Sequence, residues 1–106
     1  MVDSVPVRLG GLAANMARIA SFTSRGASLE AILSLFQESK YFIEWTAPEV
    51  DPEFGSELAD MQVALAIWQR IWPEARSNAS LRALLSIQAR SWSNSVLQQS
   101  GLLTGS

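Results

Sequence analysis

The chain has 106 residues, enough for one domain with a single core, and it contains no cysteine and no histidine. Without these two residue types, disulfides, thiolate chemistry, most zinc sites and the imidazole proton shuttle are excluded. The formal net charge is −2 and the pI is about 5.0. This balance gives no attraction to a phosphate backbone, so nucleic acid is not an expected partner.

Only 17% of the residues are charged, whereas 48% are hydrophobic and the mean hydropathy is +0.13. Since soluble proteins average about 25% charged residues, the predicted surface is short of charge. No apolar run approaches the roughly 20 residues that cross a bilayer. We therefore expect one soluble, cytoplasmic domain over residues 1–106 that needs no cofactor or metal. Part of its apolar surface would be covered by a second copy or by another protein.

Residues 5–24 are predicted to form the first helix, because apolar side chains recur on one face. These side chains are Val5, Leu9, Leu12, Ala13, Met16, Ile19 and Ala20. Gly10 and Gly11 each cost about 1 kcal/mol relative to alanine inside a helix. They either let another backbone approach closely or delay the helix start to Leu12, which we favour. Gly26 is suited to end this helix.

The segment 4–29 contains arginine and serine but no acidic residue, a composition shared with organelle transit peptides. An amphipathic first helix explains the same residues without a targeting role. We favour the helix.

Ser28 is predicted to cap a second helix over residues 28–46. Its apolar residues are Leu29, Ile32, Leu33, Leu35, Phe36, Phe42 and Ile43. Lys40 lies on this apolar side, where its stem can cover the core while the ammonium group reaches water. Tyr41 and Trp45 lie on the opposite side, which is ordinarily polar. They either pack under the next turn or form an exposed anchor for a partner.

Six acidic residues, and no basic one, lie between Lys40 and Arg70. They are Glu44, Glu49, Asp51, Glu53, Glu57 and Asp60. A cation site or a docking rim for a basic partner would use such a cluster, although the spacing does not match a calcium loop. A solvated connection is the simpler interpretation. The predicted partner-binding residues are the pair Tyr41 and Trp45, with Glu49 and Asp51 as the rim.

The most regular apolar pattern predicts a third helix over residues 52–72, started by Asp51 and Pro52 and ended by Pro73. Its main stripe is Phe54, Leu58, Met61, Leu65, Trp68 and Trp72, and a second stripe is Ala64, Ile67 and Ile71. Two apolar sides indicate a central helix. The residues assigned to the core or to an interface are Leu58, Met61, Leu65, Ile67, Trp68, Ile71, Trp72 and Trp92.

A fourth helix is predicted over residues 79–100, capped by Asn78 or Ser80 and ended by Gly101. Its predicted inward face is Leu81, Leu84, Leu85, Gln88, Trp92 and Val96. Gln88 would either accept the indole N–H of Trp92 or fix the helix register. Four amphipathic helices joined by short turns predict an all-α four-helix bundle in up-and-down order.

The predicted function is a non-enzymatic helical module that acts through protein–protein contact and associates with itself as a homo-oligomer. The alternative is a small-molecule carrier or sensor, with an apolar cavity lined by Phe36 and the core tryptophans. An enzyme that uses Glu57, Asp60 and Arg70 has the least support, because no spacing pairs these groups for catalysis.

Overall fold

The computed structural model describes residues 4–25 and 28–100, which form four α-helices and one turn of 3-10 helix. The elements are α1 (Val5–Arg25), α2 (Leu29–Thr46), the 3-10 turn Ala47–Glu49, α3 (Pro52–Ala75) and α4 (Ala79–Ser100). The all-α class and the four predicted helices are confirmed. Gly26 and Gly101, the predicted helix ends, lie outside the described residues.

A side-chain cap begins each of the four helices. At α1, Ser4 accepts a hydrogen bond from the backbone N–H of Val7 at 3.4 Å. Ser28 and Asp51 each accept a hydrogen bond from the backbone N–H three residues later, at 3.3 and 3.0 Å. Asn78 does the same at 3.1 Å, so it caps α4 in preference to Ser80. Each cap provides an acceptor for a backbone donor that has no partner within its own helix.

Hydrogen bonds between α1 and α2 show the relative direction of these two helices. On α1, Asn15 donates to Glu38, whereas Arg8, which is earlier in the chain, donates to the carbonyl oxygen of Trp45, which is later in α2. This reversal means that α1 and α2 run antiparallel, as the short connections predict.

The pair α1 and α4 makes the most extensive helix contact in the bundle. Ser86 and Ser93 on α4 donate hydrogen bonds of 2.7 and 2.8 Å to the carbonyl oxygens of Ala20 and Ala13 on α1. A side chain as short as serine reaches a neighbouring backbone only where the helices lie very close together. Small side chains at the contact, including the buried Ala89, allow this approach.

The inward face of α4 differs from the prediction. Leu84 and Gln88 are exposed, whereas Ala89 and Ser93 are buried together with Leu85 and Val96. The side that meets α1 needs small residues, so the large apolar residues do not mark the buried face. The predicted inward positions of Leu84 and Gln88 are therefore wrong.

The main stripe of α3 is buried along its whole length, as predicted. The second stripe is not, since Ile67 is 52% exposed and Ala64 and Ile71 are only partly buried. The reason is that α3 packs well against α2 but only sparsely against α4. The prediction of a central helix with two buried sides is wrong.

Helix α3 continues one turn beyond the predicted end at Pro73. The proline ring is exposed, Ala75 behind it is buried, and the N–H of Arg76 donates to the carbonyl oxygen of Trp72 at 2.9 Å. Proline removes one hydrogen bond from the helix. Near a helix end, burial of Ala75 and the bond from Arg76 offset that loss.

Helix α1 begins at Val5 and runs through both glycines, so the favoured start at Leu12 is wrong. A Cβ atom added to Gly11 would lie 3.1 Å from the Cζ atom of Phe42 on α2. The glycine therefore permits a close approach, which is made by an aromatic ring and not by a backbone.

Candidate functional site

The predicted aromatic pair lies at one end of α2, in a cluster that we call the aromatic corner: Tyr41, Phe42, Trp45, Arg8 and Glu49. The ring centroids of Tyr41 and Trp45 are 5.9 Å apart, and Phe42 stacks on Trp45 at 6.3 Å. Tyr41 is 60% exposed and Trp45 is 38% exposed. Much of this aromatic surface is therefore open to solvent.

Trp45 covers the side chain of Arg8, which is only 5% exposed. The guanidinium carbon lies 4.7 Å from the centre of the indole ring, and Nη1 donates to the carbonyl oxygen of Trp45 at 2.9 Å. Nη1 and Nη2 also donate to the two carboxylate oxygens of Glu49, both at 2.9 Å. A two-pronged ion pair and a cation–π contact thus hold α1 against the end of α2.

The acidic rim is already engaged within the chain. Hydrogen bonds from Arg8, reinforced by its positive charge, hold the pKa of the Glu49 carboxyl below its ordinary value, although desolvation acts in the opposite direction. Asp51 caps α3 through its Oδ1 atom. Both carboxylates are therefore hydrogen-bonded within the chain, which leaves less negative charge available to bind a basic partner.

The remaining acids of the middle segment do not converge. Glu57 accepts a 2.7 Å hydrogen bond from Ser95 on α4, while Glu44, Glu53 and Asp60 are exposed. Among the residues that the structure describes, no three carboxylates come close enough to hold a metal ion. The six acids, which are close together in the sequence, are spread over the end of α2, the following turn and the first half of α3.

Aromatic rings fill the space between helices in which the carrier or sensor alternative predicts a ligand cavity. Trp68 stacks on Trp92 with centroids 5.3 Å apart, and Phe36 lies 6.0 Å from Trp68 and 6.4 Å from Trp72. Within residues 4–25 and 28–100 no pocket is found. No observation therefore favours the carrier alternative. Gln88, considered as the acceptor for the Trp92 indole, is exposed.

A second apolar surface, which we call the outer face, lies on the solvent side of α3 and α4. Its large side chains are Val63, Ile67, Leu84 and Ile87, and each is more than half exposed. Helices α3 and α4 contact each other only sparsely. On each helix the two exposed residues lie three or four positions apart, so they are neighbours on one side of that helix. Neighbouring exposed aliphatic residues are typical of interaction surfaces, whereas single ones are common on any protein.

Most residues of the outer face are not predicted by the sequence. Val63 and Ile87 lie outside the predicted apolar stripes, and the pattern predicts an inward position for Leu84. Only Ile67 is among the residues predicted to lie in the core or an interface. Arg8 is the residue of the aromatic corner that the sequence could have indicated, because it interrupts the apolar face of α1 one turn before Leu12.

No protein-family model, curated protein or solved structure matches the chain. In the part of the chain that the structure describes, no helix is long and apolar enough to cross a membrane. The aromatic corner and the outer face are the two exposed apolar surfaces that could bind a partner.

Proposed function

We propose that the protein is a non-enzymatic helical module that works by protein–protein contact, with a second copy of itself as its partner. The outer face carries this proposal. Val63 and Ile67 on α3 and Leu84 and Ile87 on α4 are exposed, whereas the other large aliphatic residues described on these helices are buried in the core or partly buried against it. Covering them would remove this apolar surface from water.

The size of the outer face supports a dimer of moderate strength. Burying a Val, Leu or Ile side chain completely contributes about 1.5–3 kcal/mol, so four half-exposed ones would contribute roughly 4–7 kcal/mol per copy. Two copies would contribute roughly 8–14 kcal/mol, against about 4–15 kcal/mol for the loss of free motion on association. The two terms are comparable, so polar contacts at the edge would decide the affinity.

The charge of the chain supports association with itself. A net charge of −2 produces little repulsion between copies. The low share of charged residues, 17%, also leaves fewer hydrated groups to remove from a contact surface. We place the dimer in the cytoplasm, because a cysteine-free chain is compatible with a reducing compartment.

Light scattering coupled to size exclusion, over a range of protein concentrations, tests the proposal. The native chain should convert from monomer to dimer as its concentration rises. Ile67→Glu should remain monomeric, because it places a charge in the centre of the outer face. Val7→Glu is the matched control, since Val7 is at least as exposed as Ile67 but lies on α1. A native chain that stays monomeric throughout, or an Ile67→Glu variant that associates like the native chain, would overturn the proposal.

A further inference from the structure

Four side chains on the outer side of α3 form a pattern that is complementary to itself. They are Asp60, Val63, Ile67 and Arg70, separated by three, four and three positions, which places them on one stripe of the helix. All four are exposed, on the side opposite the buried Leu58, Leu65 and Trp72. An acid and a valine occupy one half of the stripe, and an isoleucine and a base occupy the other half.

We propose that α3 packs antiparallel against α3 of a second copy, with Val63 against Ile67 of the partner subunit and Asp60 against Arg70 of the partner subunit. The inference rests on the proposed self-association and adds its direction and register. Both pairs are centred on position 65, so one two-fold axis produces each pair twice. A contact in which each surface meets its own copy requires this kind of symmetry.

The charges select the antiparallel direction. Neither Asp60 nor Arg70 makes an ion pair or a side-chain hydrogen bond with any other residue in the described segments, so both charges are available to a partner. A parallel arrangement in the same register would set Asp60 against Asp60 and Arg70 against Arg70. Antiparallel packing replaces both repulsive contacts with two attractive pairs at the ends of an aliphatic centre.

Small residues beside the stripe allow two helices to approach. Ala59 and Ala66 are exposed on one flank, and Ala64 is half-buried on the other. Alanine side chains permit a short distance between helix axes, which brings Val63 and Ile67 into contact across the axis. The outer side of α3 therefore has both the shape and the charge order of a helix-pairing surface.

Charge exchange tests the register. Asp60→Arg and Arg70→Asp should each weaken dimerisation about tenfold or more, because each loses two attractive pairs and sets like charges face to face. The double variant should restore the native dissociation constant, since the pairs form again with reversed polarity. Glu44→Arg changes the charge by the same amount as Asp60→Arg, at an exposed site on α2, and should leave dimerisation unchanged. Circular dichroism establishes that each variant is folded.

The outcomes separate this inference from the proposed function. A native chain that never associates overturns both. A native dimer whose double variant is as weak as the single variants overturns the antiparallel register alone, as does an Asp60→Arg variant that behaves like Glu44→Arg.

The chain has no cysteine, so introduced thiols give a direct check of direction. In the antiparallel pair, position 60 of one copy lies beside position 70 of the other. The two positions 60 are therefore ten residues apart along the helix axis, which is about 15 Å. A thiol cross-linker much shorter than this should join Asp60→Cys to Arg70→Cys in a mixture and should join neither variant to itself. Cross-linking of Asp60→Cys to itself, with none in the mixture, would overturn the inference.

Discussion

The hydroxyl group of Ser93 on α4 donates a 2.8 Å hydrogen bond to the backbone carbonyl oxygen of Ala13 on α1, 80 positions earlier in the chain. Both residues are buried, and the contact is part of the closest helix pair of the bundle. Small residues along α4 therefore allow α1 to pack closely against it.

Enlarging Ser93 should separate α1 from α4. Ser93→Leu should lower the free energy of unfolding by about 1–3 kcal/mol through overpacking, in addition to the lost hydrogen bond. Ser93→Ala should cost only about 1 kcal/mol, since it loses the bond but fits the space. Ser34→Leu, at an exposed site in the middle of α2, is the control and should be nearly neutral. Urea unfolding measures all three, and a Ser93→Leu variant as stable as Ser34→Leu would contradict the close packing.

Substitutions at Gly11 and Phe42 should have coupled effects on the free energy of unfolding. Gly11→Ala normally gains about 1 kcal/mol of helix stability, but here the new methyl group lies 3.1 Å from the Phe42 ring, which must move. The gain should therefore be smaller than usual in the native chain and complete in a Phe42→Leu background. A double-mutant cycle in urea unfolding measures the difference. Equal gains in both backgrounds would show that the ring does not restrict this position.

Trp68 should be far more sensitive to truncation than Trp45. Trp68 is buried between Phe36 and Trp92, so Trp68→Ala should lower the free energy of unfolding by about 3–5 kcal/mol. Trp45 is 38% exposed, and Trp45→Ala should leave the helix content unchanged at 25 °C. Circular dichroism with urea unfolding compares them. A larger loss for Trp45 would mean that its cover over Arg8 matters more to the fold than the Trp68 stack.

Stability should fall in acid through the ion pair of Arg8 and Glu49. The hydrogen bonds and charge of Arg8 lower the pKa of Glu49 in the folded chain, so ionised Glu49 favours folding. That contribution is fully present above the pKa of the unfolded chain and is lost as the pH falls through the lower pKa of the folded state. The difference in unfolding free energy between the native chain and Glu49→Gln should therefore shrink between about pH 6 and pH 3. A difference that stays constant over this range would contradict the pairing.

The sequence predicted the fold well where burial by large apolar residues decides it. On α3, steps of three and four between Phe54 and Trp72 identify the main buried stripe, although the second apolar stripe also predicts a second buried side, which the helix does not have. On α4 the same rule failed, because the side that meets α1 is made of Ala89 and Ser93, and periodicity in large residues does not detect such a contact. The pattern placed Leu84 inward for the same reason.

The surface was harder to predict than the core. The contact between Arg8 and Glu49 joins residues 41 positions apart, and no local pattern predicts a pairing at that separation. The apolar side chain of Ile67 predicts a core or interface position, and only the structure shows that it is 52% exposed within one copy. Tyr41 and Trp45 were identified because they lie opposite the apolar side of α2, a local signal.

A second copy that covers the outer face should protect it from reagents in solution, and thiol labelling measures this protection because the chain has no cysteine of its own. Ala66→Cys places a thiol beside Val63 and Ile67 without replacing either, and Ala14→Cys places one at an exposed site on α1. The rate of alkylation at position 66 should fall as protein concentration rises through the dimerisation range, while the rate at position 14 stays constant. If the rate at position 66 does not change with concentration in a sample that light scattering shows to be dimeric, the outer face is not the surface that the second copy covers.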